Sequence, residues 1–200
     1  MSREWELVER EIAYQGYFRL ARYSFRHSLF NGGWSPVISR EVFERGHAAA
    51  LLPYDPVRDE VALIEQFRVG ALDAPGGPWL LEFIAGIIEP GETAEEVVRR
   101  EAVEEAGCTV DLVERICEYL VSPGGTTEST ALYIGRADLA NVEGVHGLAE
   151  ENEDIRVQVV GADEAIALAD SGRITNAMGL IGLNWFARHR ERLHREWRTP

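Results

Sequence analysis

Residues 86–108, GIIEPGETAEEVVRREAVEEAGC, hold seven acidic side chains and two arginines in 23 positions. Their reading decides the rest of the chain. Pro90-Gly91 is a turn signal, and Thr93 with Glu96 three residues on has the spacing of a capping box, in which each side chain satisfies an orphan amide of the other. Gly107 is a natural stop, because it adopts the left-handed conformation without a Cβ penalty. The spacing therefore predicts a helix over Ala94–Ala106. Ala94, Val97, Val98 and Ala102 give that helix an apolar stripe, and Glu101 and Glu105 stand four apart on one face with Glu104 beside them. Like charges at this spacing repel, whereas a hard divalent cation between them would draw them together. An ordinary solvated acidic helix, with Arg99 and Arg100 as partners, is the competing reading of the pair taken alone.

Outside this stretch, composition narrows the classes. With 46% apolar residues in 200, the chain has enough for one core domain and a small accessory element. A formal charge of -14 without a basic block argues against a nucleic-acid binder. No run is long and apolar enough for a membrane-spanning helix, and MSREWELVER lacks the regions of a signal peptide. Cys108 and Cys117 show no metal spacing and read as reduced thiols of a cytoplasmic protein.

In chain order, strands are expected at Trp5–Ile12, Tyr17–Phe30 and Trp34–Phe43, the last two joined through Asn31-Gly32-Gly33. Residues 1–44 read as a small antiparallel sheet with edges and aromatic surface to cover, suited to a homodimer interface, and 45–200 as the main domain. Further strands are expected at AAALLPY, with a turn from Pro53 to Asp59, and at Val61–Phe67, Trp79–Ala85, Asp111–Val121, Glu128–Ile134 and Ile155–Val160. Asp138–Asn152 has no firm period. Helices are expected at Asp163–Asp170 and from Asn176 to about Trp197. The order predicts an α+β fold.

The glutamate-rich stretch also fits a long signature: Gly86, five residues, Glu92, seven residues, Arg100-Glu101, apolar Ala102, any residue, Glu104-Glu105, any residue, Gly107 and small apolar Cys108. It resembles the Nudix box at every fixed position. The segments REIAYQGYFRL, FERGHAAALLPYDP, IEQFR, WLLEFIAG, SPGGTTE and GLAEENEDIRV extend the resemblance to the bacterial ADP-ribose pyrophosphatases, as does Pro123, 15 residues after the box. That resemblance implies an α/β/α sandwich with a mixed sheet, a homodimer completed by the N-terminal strands, and Mg²⁺-dependent hydrolysis of ADP-ribose to AMP and ribose 5-phosphate, with Mn²⁺ as a possible substitute. It leaves two rivals: a pyrophosphatase for a nucleotide sugar such as GDP-mannose, and a catalytically silent domain that senses nucleotide or binds a protein.

Chemistry explains why such residues are needed. A pyrophosphate is doubly anionic and water is a poor nucleophile, so divalent ions are called on to neutralise charge and acidify water. The resemblance implies Glu101 and Glu105 as metal ligands with the carbonyl of Ala85, and Glu104 as a further ligand or a supporting partner. Arg100 is implied to hold a box carboxylate rather than touch substrate, and Glu92 to brace the loop or bind through water. On a loop outside the box, Glu153 is implied as a metal ligand and Glu151 as general base. An unperturbed glutamate, with a pKa of about 4.3, is a credible acceptor only for acidified water. Among substrate contacts, Tyr17 is implied to stack on adenine, and Arg40 and Arg68 to meet phosphates or terminal ribose. Glu82 is implied to accept from adenine or to support the site. Ser122 is expected either to approach ribose and phosphate or to be a plain turn residue.

Overall fold

The structure, a computed structural model, describes residues 3–148, 150 and 152–198. The chain divides into two compact units, Met1–His47 with Leu120–Ser129, and Ala48–Tyr119 with Thr130–Pro200. The first is built on three antiparallel strands in the order β1 (Trp5–Gln15), β2 (Arg19–His27) and β3 (Ile38–Glu44). A register shift between Leu7 and Glu9 explains why WELVEREI lacks a clean alternation, since the bulge turns later side chains to the other face, and a second shift follows between Ile12 and Tyr14. Glu44 ties the three strands together: its carboxylate accepts from Arg10 Nε at 3.0 Å and from the Tyr23 hydroxyl. The expected third strand starts four residues late, at Ile38, leaving a lone Ser28–Trp34 bridge across the turn. Pro36 has no amide proton to give a ladder there.

The second unit carries the remaining elements. These are β4 (Ala48–Asp55), β5 (Glu60–Phe67), β6 (Trp79–Glu82), β7 (Ile84–Ile87), α1 (Ala94–Ala106), β8 (Val110–Leu120), β9 (Ser129–Ala137), β10 (Gly144–His146), β11 (Ile155–Gly161), α2 (Ala162–Asp170) and α3 (Ala177–Trp197). Eight strands form a sheet in the order β10-β11-β5-β4-β9-β8, with β6 on β5 and β7 on β4. The β4–β9 pair is parallel and β4–β5, β5–β11 and β10–β11 are antiparallel, so the sheet is mixed.

Alternation in β4 and β5 supplies both layers. Ala49, Leu51, Ala62 and Ile64 pack with Val97, Val98, Ala102 and Ala106 of α1. Their neighbours Ala50, Leu52, Tyr54, Val61 and Leu63 pack with Ala162 and Ala165 of α2 and Leu183, Phe186 and Leu193 of α3. A strand buried on both faces reads as a continuous apolar run, and AAALL is such a run. The result is an α/β/α sandwich preceded by a small antiparallel sheet. Two local expectations are corrected. The turn placed at Pro53 begins later, because β4 continues through Asp55; Pro53 falls where β4 changes partner from β7, opposite Ala48–Leu51, to β5, opposite Tyr54 and Asp55. The stretch without a period, Asp138–Asn152, contains the short strand β10, whose three residues are too few to show alternation.

Candidate active site

Helix α1 has the predicted bounds because its ends are locally determined. Thr93 Oγ1 accepts from the Glu96 amide at 3.3 Å, Glu96 Oε2 accepts from the Thr93 amide at 2.8 Å, and Gly107 ends the helix at φ 59°. Its apolar stripe seats the helix on the sheet. That turns Glu105 inward: the residue is 2% exposed, and its Oε2 accepts from the Ala85 amide of β7 at 2.9 Å. Burial pushes the Glu105 carboxyl up to about 8, with the Ala85 hydrogen bond working against it. Glu101, one turn earlier, is half-buried. Its carboxyl is also raised, by burial first, with the Arg100 guanidinium opposing and the charges of Glu104 and Glu153 adding. A Cβ at position 86 would overlap the Glu101 carboxylate, so glycine there lets the β7 backbone come against the helix.

Arg100 gathers the acids. Its Nη1 donates to Glu101 Oε1 and Glu104 Oε2, both at 2.8 Å, and its Nε to Glu92 Oε1 at 3.3 Å. Burial pulls the arginine down, but its bonds to Glu104 and Glu92 and the field of Glu101 more than offset this, so it stays charged. Glu92 braces the loop as well, accepting from the Glu89 amide at 3.2 Å. Just past the end of β5, Arg68 Nε donates to buried Glu82 of β6 at 2.7 Å, and the Arg68 charge reaches Glu105. Glu153 lies near enough for its charge to act on both Glu101 and Glu105. Its own Oε2 accepts from the Leu148 amide at 3.1 Å.

The donor set suits a hard divalent cation: carboxylates from one helix turn, a fourth from the loop before β11, and the β7 backbone at Ala85. Two of those carboxyls are buried against their own charge, a cost that a cation would relieve. In this structure each of the four carboxylates is engaged within the protein, Glu101 and Glu104 by Arg100, Glu105 by the Ala85 amide, and Glu153 by the Leu148 amide. Among the described residues, no three His, Cys, Asp or Glu side chains form a ready metal cluster.

The other predicted contacts belong to the first unit. Tyr17, 86% exposed, sits in the bend between β1 and β2 with its ring edge-on to Phe18 at 4.7 Å. Arg40 is exposed on β3 and donates to the Ser39 carbonyl at 2.7 Å. Ser122 opens the β8–β9 loop, its carbonyl accepting from the Gly125 and Thr126 amides at 2.9 Å each. Glu151 lies outside the described residues. Two features were not singled out from the sequence. Gln66 on β5 has a buried Oε1 with no hydrogen-bond partner among the described residues, and the His146-Gly147-Leu148 segment holds Glu153. An uncharged amide beside Glu65 at the end of the β5 run, and a histidine and glycine just ahead of the acidic run, were the available signals.

A family model described as NUDIX domain matches residues 44–177. The chain belongs to the Nudix family. Among its relatives, the ADP-ribose pyrophosphatase of Escherichia coli strain K12 is 52% identical over 192 residues, covering 96% of this chain and 92% of that protein. The GDP-mannose pyrophosphatase of Pectobacterium atrosepticum is 33% identical over 195 residues, covering 94% of this chain and all of that protein. A crystal structure of an ADP compounds hydrolase shares the fold at a TM-score of 0.71 and 19% identity, over 98% of this chain and 97% of that one.

Proposed function

We propose that this chain hydrolyses ADP-ribose to AMP and ribose 5-phosphate in a Mg²⁺-dependent reaction, with Mn²⁺ able to substitute. The reaction class rests on one observation above all: a 2% exposed glutamate, Glu105, held one turn from half-buried Glu101 on a helix seated by its apolar stripe. The substrate rests on 52% identity across nearly the whole chain to a protein named for that activity. Glu101, Glu104, Glu105, Glu153 and the Ala85 carbonyl would hold the metal, which supplies positive charge to the phosphate oxygens and lowers the pKa of a water. Arg100 keeps the helix carboxylates oriented until the site is loaded. Glu151 is the candidate acceptor for the water's proton. Arg68, Arg40, Tyr17, Glu82 and Ser122 are the candidate substrate contacts.

The working form is proposed as a homodimer in which the N-terminal strands help complete each site. Support comes from the apolar surface of the first unit, where Trp5, Val8, Ile12 and Tyr14 of β1 are all exposed. A cytoplasmic location belongs to the same proposal, supported by the free thiols Cys108 and Cys117. Steady-state hydrolysis of ADP-ribose, GDP-mannose, NADH and ADP-glucose in Mg²⁺ tests the reading, with products identified. The expected result is AMP release with the highest kcat/KM on ADP-ribose. A higher value on GDP-mannose overturns the substrate, and no hydrolysis of any of the four overturns the reaction.

A further inference from the structure

We propose that His146 is a positioning residue that fixes the distance between the carboxylates of α1 and Glu153 by clamping the Glu153 turn to the C-terminal end of that helix. The proposal rests on the reading above, in which Glu153 acts with Glu101 and Glu105. Three contacts carry it. The first is the ring's own anchor: His146 Nε2 lies 3.0 Å from the Val142 carbonyl, and because a carbonyl only accepts, Nε2 carries the proton. The second is steric. Gly107 ends α1 in the left-handed conformation, and the imidazole lies over it so closely that a Cβ at Gly107 would fall 2.9 Å from Cε1. The third is the next residue's backbone, since the Gly147 amide donates to the Glu104 carbonyl in the last turn of α1, at 3.3 Å.

From this anchor the chain leads directly to Glu153. The Leu148 amide donates to Glu153 Oε2 at 3.1 Å, and the Glu153 amide donates back to the Leu148 carbonyl at 3.2 Å. Gly147, at φ 100°, passes so close to Glu153 that a Cβ would meet its Cβ at 2.7 Å. On the other side, β10 pairs His146 with Ile155, two residues beyond Glu153. Leu148 and Glu153 are thus tied to each other, and Gly147, just ahead of them, to the helix that bears Glu101, Glu104 and Glu105. A carboxylate that must act with others needs its position held to a fraction of an ångström, and rigid neighbours supply that hold.

The test compares the whole protein with His146→Ala and His146→Gln, the amide of the latter offering a donor to the Val142 carbonyl. In His146→Ala, kcat on ADP-ribose is expected to fall about tenfold, with KM changed less than about twofold. The melting temperature falls by no more than about 4 °C, and His146→Gln recovers most of the kcat. In protein without metal or substrate, His146→Ala speeds backbone amide exchange at Gly147, Leu148 and Glu153 and leaves α1 unchanged. An unchanged kcat, a loss that glutamine does not restore, or unchanged exchange overturns the proposal. If the unsubstituted protein hydrolyses no nucleotide, the proposed function fails by itself and the exchange result alone decides the clamp.

Discussion

Glu105 and Gln66 are two buried polar groups with opposite consequences. Glu105 is satisfied by one amide, from Ala85, but keeps a carboxyl that burial pushes up to about 8. Glu105→Gln preserves an oxygen for Ala85 and removes the charge that the site needs. Folding should survive, with a melting temperature in chelator no lower than that of the parent, while kcat falls about 100-fold or more. Near-normal turnover would remove Glu105 from the site. Gln66 offers no such trade, because its Oε1 is buried without a donor among the described residues. An unpaired buried acceptor costs about 1–3 kcal/mol, so an apolar side chain of similar length should stabilise the fold. Gln66→Met is expected to raise the urea-unfolding free energy by about 1 kcal/mol. A loss of that size would instead show that the amide has a partner in solution.

At the scale of elements, α1 joins local sequence signals to the site. Its capping box is worth about 1 kcal/mol, and Thr93→Ala should lower stability by about that amount. Because the cap lies two turns from Glu101, KM and kcat at low temperature should change less than twofold or so; a large loss of activity would mean that fraying reaches the carboxylates. The box, the apolar stripe and Gly107 are all written within a few residues of one another, so the bounds Ala94–Ala106 were legible in the sequence. The three N-terminal strands were legible too, apart from bulges and ends. What lay beyond reach was non-local. The burial of Glu105 depends on β7 passing beneath α1, and the three-way grip of Arg100 on Glu92, Glu101 and Glu104 depends on how the loop folds back. β10 was missed because three residues carry no period, and Pro53 was misplaced because the change of strand partner that accommodates it is invisible in a single strand. Spacing on one helix could nominate carboxylates, but not say which of them is buried.

At the scale of the whole molecule, aspartates tie together segments far apart in the second unit. Asp59, in the β4–β5 turn, binds Arg190 of α3, 131 residues away, and accepts from the Tyr54 hydroxyl at 2.8 Å. Asp111 pairs with Arg136 at 2.8 Å, and Asp55 accepts the Leu139 amide, 84 residues on, at 3.2 Å. The Asp59 carboxyl is held below its usual range chiefly by the Arg190 hydrogen bonds, with burial opposing. That of Asp111 is lowered by Arg136, and that of Asp55 by the amides and guanidinium it accepts from, which outweigh its burial. A carboxyl lowered on folding stabilises the native state above the unfolded pKa of about 3.9, and the gain is lost as pH falls through the folded value. The protein should therefore lose these ties in acid, even though protonation also relieves the repulsion of a -14 chain. Asp59→Asn isolates one of them. Position 59 has φ 58°, which asparagine tolerates as aspartate does, so the substitution removes charge without adding backbone strain. Urea unfolding at pH 7 should show a loss of about 1–2 kcal/mol relative to the parent, shrinking steadily below about pH 4 as the parent's own carboxyl protonates. A difference that stays constant down to about pH 2.5 would show that the Asp59–Arg190 charge pair does not bind α3 to the sheet.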